Sequence, residues 1–319
     1  MMSSFSKELF YSKILLFGEY SILMGSMGLA IPFAHFSGYL AFINDNSYTD
    51  VEFAQRSNQQ LRLFCDDMAS RKSTENHCAI DVTSFGHDID KGLYFESSIP
   101  QGYGVGSSGA LVAAVYQRYG GVDLTQQMDA GVMMRIKGEL ANIESWFHGT
   151  SSGLDPLICL LNHPFYIEND QAIRPIDLPV LKRGGETNIF LVDTGKAGKT
   201  APLMKQFMAQ MEDADFRELV DRELIPVTNR CITLLEKGDG DGFYEALHHL
   251  SLLQNKHLPF MIPHNIVPAW KKGLRTRLFS LKLCGSGGGG FVLGFARDLN
   301  VAKLELRSMG HELIPVYIG

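Results

Sequence analysis

Two glycine-rich segments constrain this chain of 319 residues more than any other feature. The first is IPQGYGVGSSGAL at 99–111, and the second is KLCGSGGGGFVL at 282–293. A hairpin turn needs only about two glycines, so a larger number costs folding entropy without a packing return. We therefore expect both backbones to approach a ligand or another part of the fold closely. The alternatives are a glycine-rich turn with a serine N-cap at the first segment and a flexible loop at the second.

The first segment has the composition of a phosphate-binding loop. Ser107 and Ser108 precede a run with apolar residues at helical spacing, which predicts a helix over 110–120. The free N–H groups and the positive dipole end of a helix N-terminus suit a phosphate group. Serine hydroxyls at this point can bind phosphate oxygens or Mg²⁺. The segment therefore predicts a site for a phosphorylated ligand.

A dinucleotide site is disfavoured, although the pattern G-x-G-x-x-G occurs at 104–109 and again at 285–290. That fingerprint needs a strand directly before it and an acidic residue at the end of the next strand. Pro100 closely precedes the first match, and Asp129, at about the right distance, lies in a helical pattern. The match alone is weak support for NAD binding.

A second nucleotide motif fails at one position. The segment DTGKAGKT at 193–200 resembles a Walker A loop, but Asp193 stands where the first glycine must be. Without that glycine the phosphate cradle does not close. Lys196, Lys199 and Thr200 remain candidates for lining a site for an anionic substrate.

Three charged residues are candidates for phosphoryl-transfer chemistry, each with a plainer alternative. Asp155 precedes Pro156, which predicts an extended carboxylate that could accept a hydroxyl proton; otherwise it is a loop residue bonded to its own backbone. Lys13 opens an apolar strand and needs a partner such as Asp155, unless its ammonium reaches solvent. Glu144 lies near the end of a helix predicted over 125–147, where a carboxylate opposes the dipole. It predicts a cation partner or a solvated helix face.

Composition excludes several classes of protein. A net charge of −6 argues against a nucleic-acid coat and against a polybasic membrane binder. The five cysteines form no C-x-x-C pair, which favours a reduced protein. We find neither a signal peptide nor an apolar run of the roughly 18 residues that a membrane span requires. These observations predict a cytoplasmic protein without a nucleic-acid or membrane partner; a homodimer is one candidate assembly.

Strand and helix patterns alternate along the chain, which predicts an α+β fold with two domains. Strands are expected at 12–18, 281–285 and 290–295, whereas 59–98 is more polar and predicts short strands mixed with loops. The stretch 170–188 carries prolines and charges and predicts the approach to a domain boundary. We place the domains at 1–185 and 186–319.

Together these segments resemble the GHMP kinase superfamily, whose three motifs occur here in the family order. SKILLFGEYSILMG at 12–25 is similar to the first, 99–111 to the second and 282–293 to the third. HGTSSGLD at 148–155 most resembles the mevalonate kinase branch, which has H-G-x-P-S-G-x-D there. The matches are spread over almost the whole chain, and therefore the resemblance is more specific than one glycine loop.

The resemblance implies roles for individual residues. The family's catalytic aspartate falls on Asp155 and its first-motif lysine on Lys13. Its magnesium-binding glutamate falls on Glu144, eleven residues before Asp155, and its metal-binding serine on Ser108. Substrate contacts are implied for Glu19, Tyr20 and Thr200. The residues implied to bind or support the ATP phosphates are Gly102, Gly104, Gly106, Ser107, Ser108, Gly109, Gly287 and Gly288.

Three residues depart from the family pattern. Tyr20 replaces the histidine usual in mevalonate kinases, and G-E-Y also occurs in bacterial phosphomevalonate kinases. Ser151 replaces the proline of the aspartate motif, and Gly109 replaces the first alanine after the two serines. These departures leave the kinase prediction intact, but they put the acceptor in question because Tyr20 is implied to lie at the acceptor pocket.

The resemblance also implies a fold and a reaction. It predicts an N-terminal domain of the ribosomal protein S5 domain 2 type, a ferredoxin-like C-terminal domain, and an active site in the cleft between them. ATP and Mg²⁺ are the implied cofactors. The implied reaction phosphorylates a hydroxyl of a small metabolite, with mevalonate as the first candidate. Phosphomevalonate or a sugar as acceptor, and an ATP-binding regulator without activity, are the alternatives.

Overall fold

The structure is a computed structural model that mixes helices and antiparallel sheets, as the α+β prediction requires. It describes residues 8–45, 50–75, 80–121, 129–168, 172–178 and 188–316. In chain order the strands are β1 Phe10–Phe17, β2 Gly28–Phe42, β3 Leu93–Ser97, β4 Phe165–Ile167, β5 Ile173–Pro175, β6 Asn188–Asp193, β7 Ser280–Leu283, β8 Phe291–Ala296 and β9 Leu313–Pro315. No helix in these ranges is long and apolar enough to cross a bilayer.

The helices fill the intervals between the strands. They are α1 Val51–Glu75, α2 Val82–Asp90, α3 Ser107–Tyr119, α4 Ala130–His148, α5 Leu154–Leu161, α6 Thr200–Gln210, α7 Ala214–Leu219, α8 Ile225–Lys237, α9 Gly240–His257, α10 Val267–Thr276 and α11 Leu299–Arg307. A π-helical turn, Val220–Leu224, joins α7 to α8.

Contacts between Cα atoms divide the chain into two compact units. Unit 1 comprises Met1–Lys13, Ala34–Ile99 and Gly106–Asn162, and unit 2 comprises Ile14–Phe33, Pro100–Val105 and His163–Gly319. The predicted boundary at 185/186 lies outside the described residues, so that boundary stays a prediction. The same holds for the assignment of the two domains to S5-like and ferredoxin-like folds.

In unit 1, helices pack around a short antiparallel ladder. The end of β2 pairs with β3, from Gly38 opposite Ser97 to Phe42 opposite Leu93. Helices α3, α4 and α5 contact one another, and α1 contacts β3 and α2. The apolar faces of these helices supply the core of the unit, which includes Phe64, Phe85, Tyr116, Ile136, Leu140 and Leu157.

The prediction of short strands and loops within 59–98 is wrong over most of its length. Helix α1 covers its first part and α2 covers 82–90, and among the described residues of this range only β3 is a strand. Leu61, Phe64 and Met68 are buried on α1 at spacings of three and four residues, which is the pattern of a helix with one apolar face. Polar residues on the other face concealed this period in the sequence.

In unit 2, four strands form an antiparallel sheet in the order β7-β8-β6-β9. The predictions of strands at 281–285 and 290–295 are confirmed by β7 and β8, which pair from Leu283 opposite Val292 to Ser280 opposite Phe295. Strand β8 is buried at every residue because helices of this unit cover the sheet. Elsewhere in unit 2, β4 pairs with the start of β2 and with β5.

Candidate active site

Strand β1 presents a buried lysine to a carboxylate in unit 1. Lys13 Nζ lies 2.8 Å from Asp155 Oδ2, with the side chains 8% and 38% exposed. The ion pair that the sequence predicted is therefore present. Burial makes the ammonium depend on this partner, because an unpaired charge out of water is costly. The exposed part of the Asp155 carboxylate stays accessible to a ligand.

Asp155 is helical, not extended as Pro156 had suggested. It is the second residue of α5, and Gly153 precedes the helix in the left-handed conformation, with φ 71°. The first N–H groups of a helix have no partner within it, so a proline in the first turn costs no hydrogen bond. The helix N-terminus also stabilises the negative charge of Asp155. The plain alternative, a loop residue bonded to its own backbone, is therefore wrong.

Glu144, near the C-terminal end of α4, is a buried carboxylate that two hydroxyls contact. Ser108 donates to Oε1 at 3.0 Å, and Ser151 donates to Oε2. The residue is only 4% exposed, so the solvated helix face considered for it is wrong. Burial is the main cause that raises the pKa of Glu144, and the nearby charge of Asp155 raises it further. The hydroxyls of Ser151 and Ser108 and the charge of Lys13 oppose these effects.

Glu144 and Ser108 would form only a partial magnesium site, which would need substrate phosphates as further ligands. Among the described residues, no three His, Cys, Asp or Glu side chains gather as a metal cage. Mg²⁺ is usually held by one or two carboxylates together with substrate phosphates. Glu144 with Ser108 supplies such a partial ligand set, and the raised pKa marks a carboxylate that a cation would stabilise. The residues therefore fit the predicted metal.

The glycines at the start of α3 are required by the two predicted catalytic residues. Gly106 precedes the helix with φ 81°, and a Cβ built on it would lie 2.7 Å from Lys13 Cγ. A Cβ on Gly109 would lie 2.9 Å from the carbonyl carbon of Asp155 and 3.0 Å from Pro156 N. Helix α3 therefore approaches both residues too closely for a side chain. The N-cap of α3 is Gly106, so the alternative of a serine N-cap is wrong. The Ser108 hydroxyl bonds to Glu144 instead.

In unit 2, the other half of the first glycine segment packs against the second. Gly104 and Gly285 both have positive φ, and a Cβ on either would be 3.7 to 3.9 Å from the other's Cα. A Cβ on Gly290 would lie 2.7 Å from the Cα of Tyr103. The close approach that the sequence predicted is thus an approach of backbone to backbone, and it explains much of the glycine surplus without a ligand.

Gly287 and Gly288 are also engaged with the protein. A Cβ on Gly287 would meet the Met261 carbonyl oxygen at 2.6 Å, and the Gly288 N–H donates to that oxygen at 2.6 Å. A Cβ on Gly288 would lie 2.5 Å from Leu203 Cδ1. Their predicted contact with the ATP phosphates stays a prediction, as does that of Gly102 and Ser107.

The segment at 193–200 that resembles a Walker loop holds the glycine cluster in place. Gly198 N–H donates to the Gly102 carbonyl at 2.9 Å, and Gly290 N–H donates to the Lys196 carbonyl at 2.6 Å. Asp193, which breaks the Walker pattern, accepts from Gly195 N–H at 2.7 Å. Sequence reasoning missed this role, although three glycine-bearing segments in one chain were the available signal.

The implied substrate residues of unit 2 are mostly enclosed. The buried carboxylate of Glu19 pairs with the buried ammonium of Lys282, with side chains 2% and 0% exposed. The Tyr20 hydroxyl donates to the Ser286 carbonyl at 2.7 Å, and burial raises the pKa of Tyr20 to about 12. Thr200 is exposed, and its hydroxyl lies 2.9 Å from that of Ser286. Lys282 and Ser286 were missed because neither stands out in the sequence.

The chain is similar to known proteins in sequence and in fold. No family model matches the chain. A curated mevalonate kinase from Thermococcus sibiricus (strain DSM 12597 / MM 739) is 24% identical over 322 residues, which cover 90% of this chain and 88% of that protein.

Two solved structures illustrate the fold. L. major mevalonate kinase in complex with R-mevalonate has a TM-score of 0.65 and 14% identity, covering 99% of this chain and 97% of the other. Streptococcus pneumoniae phosphomevalonate kinase in complex with phosphomevalonate and AMPPNP has a TM-score of 0.63 and 14% identity, with 97% and 98% covered. At such identities these matches show the fold alone. The chain therefore has the fold of the GHMP kinase superfamily, and its resemblance to the mevalonate kinases of that superfamily is confirmed.

Proposed function

We propose that this chain is an ATP-dependent kinase that transfers the γ-phosphate to a hydroxyl of a small metabolite, with mevalonate as the acceptor. The carrying observation is the cluster of unit 1, where Lys13 pairs with Asp155 at 2.8 Å and Ser108 binds Glu144 at 3.0 Å. These four residues are the types that phosphoryl transfer uses to orient a nucleophile and to hold a metal.

Each residue has a defined task in this proposal. Asp155 accepts the proton of the acceptor hydroxyl, and its position at a helix N-terminus keeps the carboxylate in place. Lys13 holds Asp155 and stabilises the negative charge that develops on the acceptor oxygen. Ser108 and Glu144 would hold Mg²⁺, which when bound neutralises charge on the ATP phosphates. The N-terminus of α3 offers N–H groups to those phosphates.

The acceptor is the less constrained part of the proposal. The curated relative is named mevalonate kinase, which favours mevalonate. Tyr20 and the similarity to a phosphomevalonate kinase structure favour phosphomevalonate as the second candidate. The Tyr20 hydroxyl is engaged by Ser286 and the residue is buried, so we assign the acceptor contact to Thr200 and a supporting role to Tyr20. For Glu19 we propose a supporting role through Lys282.

An acceptor panel tests the proposal. Purified protein with ATP and Mg²⁺ is offered mevalonate, phosphomevalonate, galactose and homoserine, and ADP release is followed with a coupled assay. We expect release with mevalonate and a loss of about 10²- to 10⁴-fold in kcat for Asp155→Ala, the usual contribution of a general base. The control is Asp215→Ala, an exposed carboxylate on α7, which should leave kcat unchanged.

Two results would contradict the proposal. If no acceptor of the panel causes ADP release, the kinase assignment is removed and an ATP-binding regulator is favoured. Near wild-type activity of Asp155→Ala on the true acceptor would remove Asp155 from the reaction.

A further inference from the structure

We infer that Ser151 is a positioning residue that fixes Glu144 for metal binding and connects it to the helix carrying Asp155. The inference rests on the proposed function, since it concerns the same site. Ser151 occupies a position where the aspartate motif of the resembling family has proline, so the family pattern assigns no hydroxyl there. The structure gives this hydroxyl two partners, and both belong to the site.

The two hydrogen bonds of Ser151 have opposite directions. Its hydroxyl donates to Glu144 Oε2, and it accepts from the Gly153 N–H at 2.9 Å. A carboxylate can only accept, so the hydroxyl proton points to Glu144 and a lone pair is left for Gly153. Gly153 directly precedes α5, whose second residue is Asp155. One hydroxyl therefore joins the carboxylate implied to bind metal to the turn that places the implied catalytic base.

The turn itself is held against α4, the helix that carries Glu144. Gly153 has φ 71°, and a Cβ on it would lie 2.0 Å from the Lys137 carbonyl oxygen and 2.9 Å from Ala141 N. Backbone thus meets backbone at this point, and the turn cannot move away from α4 without losing that packing. The position of Ser151 relative to Glu144 follows from it.

The hydrogen bonds to the two carboxylate oxygens of Glu144 would respond differently to a bound cation. Ser108, which donates to Oε1, is itself an implied metal ligand, so its hydroxyl oxygen would turn to the cation. Ser151 donates to Oε2 and is not an implied metal ligand, so its hydrogen bond to Glu144 can persist when a cation binds. Hydrogen bonds from such outer residues orient metal ligands, and removing one typically costs about 10- to 100-fold in metal affinity or activity.

Manganese binding tests the inference without any acceptor. Mn²⁺ is titrated into protein with AMPPNP and followed by electron paramagnetic resonance, and AMPPNP binding is also measured in metal-free buffer. We expect Ser151→Ala to weaken Mn²⁺ binding about tenfold and to leave metal-free AMPPNP binding unchanged. Ser145→Ala is the matched control, because this hydroxyl on α4 bonds to Asn142 and Arg71 instead.

A second pair of variants covers a folding defect. Ser151→Thr keeps the hydroxyl and Ser151→Val replaces it with a methyl group of similar size. We expect the threonine variant to bind Mn²⁺ within about threefold of wild type and the valine variant to match Ser151→Ala, on the scale of outer hydrogen bonds to a metal ligand. Equal Mn²⁺ affinity of the two variants, or of Ser151→Ala and wild type, would overturn the inference.

The outcome separates the inference from the proposed function. If wild type binds Mn²⁺ with AMPPNP, Ser151→Ala binds it more weakly and no acceptor is phosphorylated, the inference is supported and the kinase proposal is contradicted. A wild type that phosphorylates mevalonate while Ser151→Ala binds Mn²⁺ equally well gives the opposite result.

Discussion

Glu144 shows how a single residue can be placed at the expense of stability. Its carboxylate is buried beside Asp155, and two serine hydroxyls and the charge of Lys13 only partly compensate for that environment. Burial disfavours the charged form, which is why the pKa of Glu144 is raised above its ordinary value of 4.5. A residue chosen for stability alone would not carry a charge at this point, so the placement favours a functional requirement.

The raised pKa of Glu144 predicts a pH-dependent effect of Glu144→Gln on stability in metal-free buffer. Below pH 4.5 the carboxyl is protonated in both the folded and the unfolded chain, so it behaves much as an amide does. As the pH rises through the raised pKa, the folded wild type must ionise a buried group and loses stability that the variant keeps. The free energy of unfolding of Glu144→Gln, relative to that of wild type, should therefore increase between pH 4.5 and 8.

Urea denaturation with EDTA at several pH values measures this difference. Glu52→Gln on α1 is the control, because the side chain of Glu52 is 78% exposed and its charge is not buried. A difference for Glu144→Gln that shrinks toward pH 8 would contradict the prediction. Added Mg²⁺ and AMPPNP should reverse it, because wild type alone then gains a bound cation.

At the scale of elements, the contact between α3 and α5 holds the predicted phosphate loop against the predicted base. The contact depends on Gly109, where the resembling family has alanine, since a Cβ there would meet the backbone of Asp155 and Pro156 at 2.9 and 3.0 Å. In this chain the two helices have thus come closer than an alanine allows. A small change at this point should shift α5 and its carboxylate.

Gly109→Ala is expected to destabilise the protein, although alanine favours helix. Overpacking against backbone costs about 1 to 3 kcal/mol, which over most of that range exceeds the roughly 1 kcal/mol that alanine gains over glycine in a helix. Gly138→Ala on α4 is the matched control, because nothing lies within 4 Å of its Cβ position and it should stabilise by about 0.5 to 1 kcal/mol. Thermal unfolding of both variants checks the prediction, and a Gly109→Ala variant as stable as Gly138→Ala would contradict it.

Local patterns predicted some elements and not others. Strand β7 ends just before the glycine cluster and β8 is a short apolar run directly after it, and the boundaries of both strands were predicted within two residues. Helix α1 was missed because its polar face hides a buried stripe that includes Leu61, Phe64 and Met68. The helical conformation of Asp155 was missed because the local bias before proline was outweighed by the packing of α5 against α3 and α4.

At the scale of the whole molecule, the motifs predicted residues that lie together in unit 1, but not the partners that support the residues of unit 2. Lys13 and Asp155 are far apart in sequence, and they were paired because a lysine that opens a buried strand needs an opposite charge. Lys282, by contrast, is a single lysine in a buried strand and gives no sign that its partner is Glu19, 263 positions away. Pairings of this kind depend on tertiary packing alone, and only the structure supplies them.

The buried pair of Glu19 and Lys282 predicts that the stability of the protein depends on keeping both charges or neither. Both side chains are almost fully buried, and the Lys282 ammonium also lies 5.3 Å from the centre of the Phe17 ring. Removing one partner leaves an uncompensated buried charge, which costs about 3 to 5 kcal/mol, whereas replacing both by neutral residues can be close to neutral. Glu19→Gln and Lys282→Met should each be strongly destabilising, and the double variant should recover most of the loss.

A double-mutant cycle by urea denaturation measures the coupling, and acceptor kinetics of the double variant decide the role of Glu19. The control is Glu312→Gln, whose exposed pair with Arg307 should contribute at most about 1 kcal/mol. If Glu19 supports the site only through Lys282, the stable double variant keeps a KM for the acceptor close to wild type. If Glu19 contacts the acceptor, stability returns while KM stays raised. Additive losses of the two single variants would contradict the ion pair itself.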